Sequence, residues 1–106
     1  MGYEIEFYVQ KNGSAPFEIW LQSLDQKTHD RIMTRLDRVQ LGNFGDHKTV
    51  GGGVSELRFF FGSGYRVYYG IDHGQLVLLL TGGNKKSQNK DIARAQKYWN
   101  LYLKET

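Results

Sequence analysis

Residues 56–88 constrain the fold more than any other part of this chain. Three runs rich in β-branched, aromatic and aliphatic residues, at 54–61, 65–71 and 75–81, are separated by the short segments Gly62-Ser63-Gly64 and Asp72-His73-Gly74. Period-two alternation on both sides of a glycine-containing turn is typical of antiparallel strands joined as hairpins. The segment therefore predicts three consecutive strands, followed by a Gly82-Gly83-Asn84 loop that leads into a helix.

The alternation also predicts which side chains share a face of the sheet. If residues 62–64 form a three-residue turn, Phe61 is paired with Tyr65, and Arg58 lies opposite Tyr68. Arg58, Arg66 and Tyr68 then lie on one face, and the second turn places Leu78 beside Tyr68. Because that face also carries leucines, we expect the C-terminal helix to cover part of it and the arginines to lie at the rim of a partly covered groove. Two cations and a phenol at such a rim suggest a surface that meets phosphate.

The remaining elements complete an α+β architecture. Alternation over residues 3–9 predicts a strand, and apolar stripes over 17–24 and 32–39 predict two short helices that form a hairpin. A short strand is predicted at 48–50, and a last helix from about residue 87 to 103. We expect the helical hairpin on one face of a twisted, mostly antiparallel sheet and the C-terminal helix on the other.

Size and charge narrow the class of protein. A chain of 106 residues predicts one domain over 1–106, and the absence of cysteine excludes disulfides and thiolate metal sites. Residues 1–84 hold eight Lys/Arg and nine Asp/Glu, whereas residues 85–106 hold six and two, a balance of +4. This basic end is either a solvated helix face or the footprint of a polyanionic partner. The first residues lack the basic flank of a signal peptide and no run is long enough to span a membrane, so a cytoplasmic protein is expected.

An ordered series of motifs strongly resembles the RelE/ParE superfamily of bacterial toxin–antitoxin toxins, and most closely its phage-derived, HigB-like "addiction module killer" branch. The resemblance covers nearly the whole chain. It rests on GNFGD at 42–46, Lys48, ELR at 56–58, GYRVY at 64–68, LLL at 78–80, GGNK at 82–85, Gln88, KDI at 90–92 and AQKYW at 95–99.

The resemblance implies a fold with two N-terminal helices on a twisted antiparallel sheet and one C-terminal helix. RelE- and HigB-like members cut mRNA in the ribosomal A site without a metal, whereas ParE-like members poison DNA gyrase. Both kinds are neutralised by an antitoxin encoded beside them, in this branch usually a small HigA-like helix-turn-helix protein. The resemblance therefore implies a toxin–antitoxin hetero-oligomer, mRNA as substrate, and no cofactor, metal or membrane. A non-catalytic module that binds RNA or a partner is a third alternative.

The chemistry indicates which residues to examine. RNA cleavage by the 2′-hydroxyl needs a proton acceptor, cations for the phosphorane and a donor for the leaving 5′-oxygen. We assign Arg66 to the scissile phosphate and Arg58 beside it, with Lys85 and Lys48 as phosphate contacts or, if desolvated, as proton acceptor. Tyr68 either stacks on a base, assists proton transfer or is a packing residue. Further RNA contacts are predicted at Lys86, Lys90, Gln88 and His47.

Two points leave the assignment open. Arg58 and Arg66 are alternatively structural, paired with Glu56 or Asp91. Some characterised RelE-type nucleases carry extra lysines where this chain has Leu57 and Phe59, and a His or Tyr pair near the C-terminus. That departure puts the identity of the general base in doubt.

Overall fold

A computed structural model describes residues 2–105. The elements in chain order are β1 (Glu4–Phe7), α1 (Pro16–Gln22), α2 (Gln26–Gln40), β2 (His47–Gly51), β3 (Val54–Arg58), β4 (Arg66–Asp72), β5 (Leu76–Gly83), a 3-10 turn (Lys85–Ser87) and α3 (Gln88–Glu105). The five strands form one sheet in the order β1-β5-β4-β3-β2, in which β1 runs parallel to β5 and all other pairs are antiparallel. The predicted α+β fold is confirmed.

One face of the sheet is covered by the N-terminal helices. Their apolar stripes turn toward the sheet because residues three and four apart lie on the same side of a helix. The cluster that results joins both helices to alternate residues of β3, β4 and β5, and comprises Phe17, Leu21, Ile32, Leu36, Val39, Leu57, Phe59, Val67, Tyr69, Val77 and Leu79. This cluster is the main core of the protein.

The opposite face is covered by α3, as the sequence predicts. Ala95 and Trp99 of α3 pack on Tyr68, Leu78 and Leu80. Gly70 permits the close approach of the helix, because a Cβ at that position would lie 2.4 Å from the ring of Trp99.

The predicted register between β3 and β4 is wrong by two residues. Arg58 lies opposite Arg66, and Glu56 lies opposite Tyr68. The connection is longer than a three-residue turn because Phe59 and Phe61 leave the ladder and pack against the main core. A shift of two residues preserves the side to which each side chain points, so the predicted set of face-sharing residues survives.

The register between β4 and β5 also differs from the prediction. The ladder is shifted by two residues, since Ile71 lies opposite Val77 and not Gln75, and a bulge between Tyr68 and Tyr69 adds one more. Tyr68 therefore lies opposite Thr81, where the sequence predicts Leu78. Such an irregularity inserts an extra residue and bends the strand, which alternation alone does not reveal.

Candidate functional site

The two predicted arginines meet at the loop end of the β3–β4 hairpin. Arg58 is the last residue of β3 and Arg66 the first of β4, and they are direct cross-strand partners. Like charges in such positions repel each other. The arrangement therefore requires compensation, and each arginine has a carboxylate.

Arg66 lies against a buried glutamate. Its Nε is 3.7 Å from Oε2 of Glu56, whose side chain is 1% exposed, while the side chain of Arg66 is 11% exposed. Nη1 of Arg66 donates to the carbonyl oxygen of Gly64 at 3.1 Å. The hydrogen bond to Gly64 and the charge of Glu56 therefore orient the guanidinium, which still reaches the surface, while its buried Nε has no hydrogen-bond partner within residues 2–105. The alternative pairing of Arg66 with Glu56 that the sequence left open is the one observed.

Arg58 forms a two-pronged ion pair with Asp46, a partner that the sequence did not predict. Nε and Nη2 of Arg58 donate to the two carboxylate oxygens of Asp46 at 3.0 and 3.1 Å. The hydrogen bond and the charge of Arg58 lower the pKa of Asp46, and the same contact raises the pKa of Arg58. Both side chains remain about one-third exposed, so a phosphate can compete with Asp46 for Arg58.

Arg35 of α2 stabilises the loop end of the β3–β4 hairpin. Its guanidinium donates to three backbone carbonyls, those of Phe44, Asp46 and Arg58, at distances of 2.7–3.1 Å. Burial lowers the pKa of Arg35, and the charge of Asp46 opposes that shift. Arg35 thus ties the loop before β2 to the end of β3 and holds Asp46 beside Arg58.

Lys85 is brought to Arg66 by the turn before α3. Its backbone N–H donates to the carbonyl oxygen of Ser63 at 3.3 Å, which joins the turn to the β3–β4 loop. Asn84 caps the turn, since its Oδ1 accepts from the N–H groups of Lys86 and Ser87 at 3.0 and 3.3 Å. Lys85 and Arg66 line one cleft of about 430 Å³, together with residues 59–64.

Four other predicted RNA-binding residues do not line this cleft. Gln88 begins α3 and donates to Oε1 of the buried Glu56 at 3.3 Å, so it supports the carboxylate behind Arg66. Lys86 and Lys90 are exposed near the start of α3. Lys48 of β2 is exposed and lies opposite Glu56, on the same face as that residue.

His47 is not brought to the arginines. It lies opposite Leu57 in the ladder, and therefore on the other face of the sheet. Its ring is 5.7 Å from that of Phe44, and its Nδ1 lies 2.9 Å from the carbonyl oxygen of Gly45. The RNA contact predicted for His47 stays a prediction, and it would lie outside the cleft that holds Arg66.

Tyr68 lies beneath α3 and is 0% exposed. Its hydroxyl has no hydrogen-bond partner within residues 2–105. Burial, and next the charge of Glu56, raise the pKa of Tyr68. A fully covered ring cannot stack on a base, so stacking is ruled out for this arrangement and the packing alternative is the one that the structure favours.

Two residues of the site, Asp46 and Arg35, were given no role by the sequence. Asp46 and Arg35 gave no sequence signal beyond the position of Asp46 in the GNFGD motif, because their partners are distant in the chain. Glu56 could be placed on the arginine face by alternation, but its burial could not be predicted.

In the part of the chain that the structure describes, no group of three or more His, Asp or Glu side chains could hold a metal ion, and no helix could cross a membrane.

The chain is similar to known proteins over most of its length. Residues 19–100 match the family described as "Phage derived protein Gp49-like". An uncharacterized protein of Haemophilus influenzae is 44% identical over 89 residues, which cover 83% of this chain and 90% of that protein. The family is the addiction module killer group of RelE-like toxins, so the resemblance is confirmed at that level. The chain belongs to the family of phage-derived Gp49-like proteins.

Proposed function

We propose that this protein is the toxin of a type II toxin–antitoxin module, of the HigB-like branch, and that it cleaves mRNA in the ribosomal A site. The observation that carries the proposal is the cross-strand pairing of Arg58 with Arg66, with Lys85 beside Arg66 in one cleft and Arg58 in the adjoining groove. Clustered cations at the surface fit a phosphate backbone.

The residues of the cleft suit the charge that develops during cleavage. The 2′-oxygen loses its proton to water and bonds to phosphorus, and the bond to the 5′-oxygen breaks as that oxygen takes up a proton from water. Arg66 would hold the phosphorane oxygens, because its guanidinium is already fixed by Glu56 and Gly64. Arg58 would join it by exchanging Asp46 for phosphate.

Lys85 is exposed. The condition for a lysine to act as proton acceptor is desolvation, which an exposed side chain lacks. We therefore assign Lys85 to phosphate binding, and the same reasoning applies to the exposed Lys48. A HigA-like antitoxin would neutralise the toxin by covering the cleft in a hetero-oligomer.

A ribosome assay tests this function directly. Purified protein is added to ribosomes programmed with mRNA, with tRNA in the P site and an empty A site, and to the same mRNA alone. We expect cleavage in the A-site codon only with ribosomes, and at least a tenfold slower reaction for Lys85→Ala. Lys104→Ala is the matched control, because Lys104 is an exposed cation at the far end of the long helix α3.

The burial of Tyr68 and the placement of His47 favour a second candidate, a toxin whose surface binds without cutting. Within residues 2–105 neither a tyrosine hydroxyl nor an imidazole shares the cleft with Arg66. A ParE-type gyrase inhibitor, or a module that only binds RNA, needs no such group. Intact mRNA on programmed ribosomes, with inhibition of DNA supercoiling by gyrase, would support the gyrase alternative.

A further inference from the structure

Phe60 is the most exposed aromatic side chain among the described residues, with 82% of its surface accessible. Its neighbours on both sides, Phe59 and Phe61, pack against the main core. The side chains of Phe59 and Phe61 thus pack inward, and the side chain of Phe60 between them points into solvent. A single exposed apolar residue is common at a protein surface, so the informative feature of Phe60 is its position between two surfaces that carry cations.

The loop that carries Phe60 is held in place on several sides. The N–H of Phe59 donates to the carbonyl oxygen of Tyr65 at 3.1 Å, and the N–H of Gly64 donates to that of Phe61 at 3.2 Å. The guanidinium of Arg31 lies 3.9 Å from the centre of the Phe61 ring. Phe60 is therefore presented by an anchored loop, which reduces the entropy lost when a ligand binds.

Cations surround this ring on both sides. Phe60 lines the cleft that holds Arg66 and Lys85, and it also lines a groove of about 550 Å³ that holds Arg31 and Arg58. Val9, Ile19, Leu41, Ile71, Leu101 and Leu103, the other exposed large apolar residues of the described chain, line neither of these surfaces. A lone ring between two basic surfaces suits an unpaired nucleobase with its flanking phosphates better than an apolar protein surface.

We propose that Phe60 is a stacking platform for one unpaired RNA base, whose flanking phosphates lie against Arg66 and Lys85 on one side and Arg58 on the other. This inference rests on the proposed RNA substrate and adds a base contact to it. Stacking tolerates any base, since every base has a π-face. The platform would therefore orient the strand without selecting its sequence.

The first test measures binding to a short single-stranded RNA with 2′-O-methyl sugars, which cannot be cleaved. At fixed salt, we expect Phe60→Ala to weaken binding roughly 5- to 150-fold. Phe60→Trp should bind as the wild type does, and Phe60→Leu should resemble Phe60→Ala because a leucine offers apolar surface without a π-face. Leu41→Ala is the matched control, since Leu41 is 80% exposed and lines neither surface.

An abasic scan identifies the stacked base. Replacing one nucleotide at a time by an abasic one should reduce wild-type affinity at one position and leave the affinity of Phe60→Ala unchanged there. The tryptophan fluorescence of Phe60→Trp should be quenched by the RNA beyond the response of Trp20 and Trp99 in the wild type. Circular dichroism confirms that each variant is folded.

Cleavage on programmed ribosomes separates the two proposals. If the wild type cleaves mRNA and Phe60→Ala cleaves and binds equally well, the platform is refuted while the nuclease stands. If the wild type does not cleave, but RNA quenches Phe60→Trp and the abasic effect is present, the platform is supported and the nuclease is refuted. If neither cleavage nor quenching occurs, both are refuted. Self-association that Phe60→Ala abolishes, without any effect on RNA, would assign the ring to a protein interface and overturn the platform.

Discussion

Replacing Arg66 by methionine separates its structural role from its role in the cleft. The substitution removes the cation that lies against Glu56 and leaves that carboxylate buried, with Gln88 as its remaining side-chain partner. A carboxylate at 1% exposure without a compensating charge is unfavourable. We therefore expect Arg66→Met to lose stability as well as activity.

The magnitude follows from the geometry of the pair. Breaking a buried ion pair by removing one partner costs about 3–5 kcal/mol. Here Nε of Arg66 is 3.7 Å from the carboxylate oxygen and the side chain is 11% exposed. The contact is looser and wetter than a fully buried pair, so we expect a loss of about 2–3 kcal/mol. Since 1 kcal/mol shifts the Tm of a domain of this size by roughly 4–8 °C, Tm should fall by about 10–20 °C.

A double variant provides the control. Glu56→Gln in the Arg66→Met background removes both charges and keeps an oxygen that can accept from Gln88. Replacing a buried pair by neutral groups of similar volume is often close to neutral. Urea unfolding should therefore place the double variant within about 1 kcal/mol of the wild type, while mRNA cleavage on programmed ribosomes stays lost.

Two results would refute this reasoning. If Arg66→Met alone unfolds at the wild-type urea concentration, Arg66 does not stabilise Glu56 in the folded protein. If the stable double variant still cleaves mRNA at the wild-type rate, Arg66 does not contact the scissile phosphate. Equal loss of stability in the single and double variants would show that packing of the Arg66 side chain, and not its charge, is what matters.

Three further substitutions test other parts of the structure. Tyr68→Phe should raise the free energy of unfolding by about 1 kcal/mol, because it removes a buried unpaired hydroxyl. The same variant should cleave mRNA at the wild-type rate. Cleavage at least tenfold slower would show that the Tyr68 hydroxyl takes part in the reaction. The lowered pKa of Asp46 means that its pair with Arg58 stabilises the protein above the ordinary aspartate pKa, so the Tm advantage of the wild type over Asp46→Asn should disappear as the pH falls below about 4. Gly70→Ala should cost about 1–3 kcal/mol in urea unfolding, because its methyl group would collide with Trp99, and an unchanged midpoint would contradict the close approach of α3.

The sequence predicts the fold well because local patterns determine it. The apolar stripe of α2 at Ile32, Leu36 and Val39 is buried as its spacing predicts. The alternation in β4 correctly separates Val67 from Tyr68, one in each core cluster. These features depend on residues close in the chain, and burial of a single face enforces them.

The site is less predictable because it depends on long-range contacts. Arg58 meets Asp46 through a loop that no periodicity describes, and Arg35 organises that loop from a helix. The predicted register between β3 and β4 is wrong because Phe59 and Phe61 continue the apolar alternation after the ladder has ended. Alternation reports which side is buried, but it does not report whether the backbone is still paired.

The β3–β4 hairpin contains an unfavourable charge arrangement that packing does not explain. Two arginines lie directly opposite each other, and the protein compensates one with a buried glutamate and the other with a partly exposed aspartate. Apolar residues at both arginine positions and at Glu56 would avoid the repulsion and the desolvation of that carboxylate. The repulsion between the two arginines lowers stability, and it is located beside the cleft that Arg66 and Lys85 line. Local features that lower stability are expected at functional sites. Binding of a phosphate would relieve the repulsion, and we infer that the hairpin retains both arginines for that purpose.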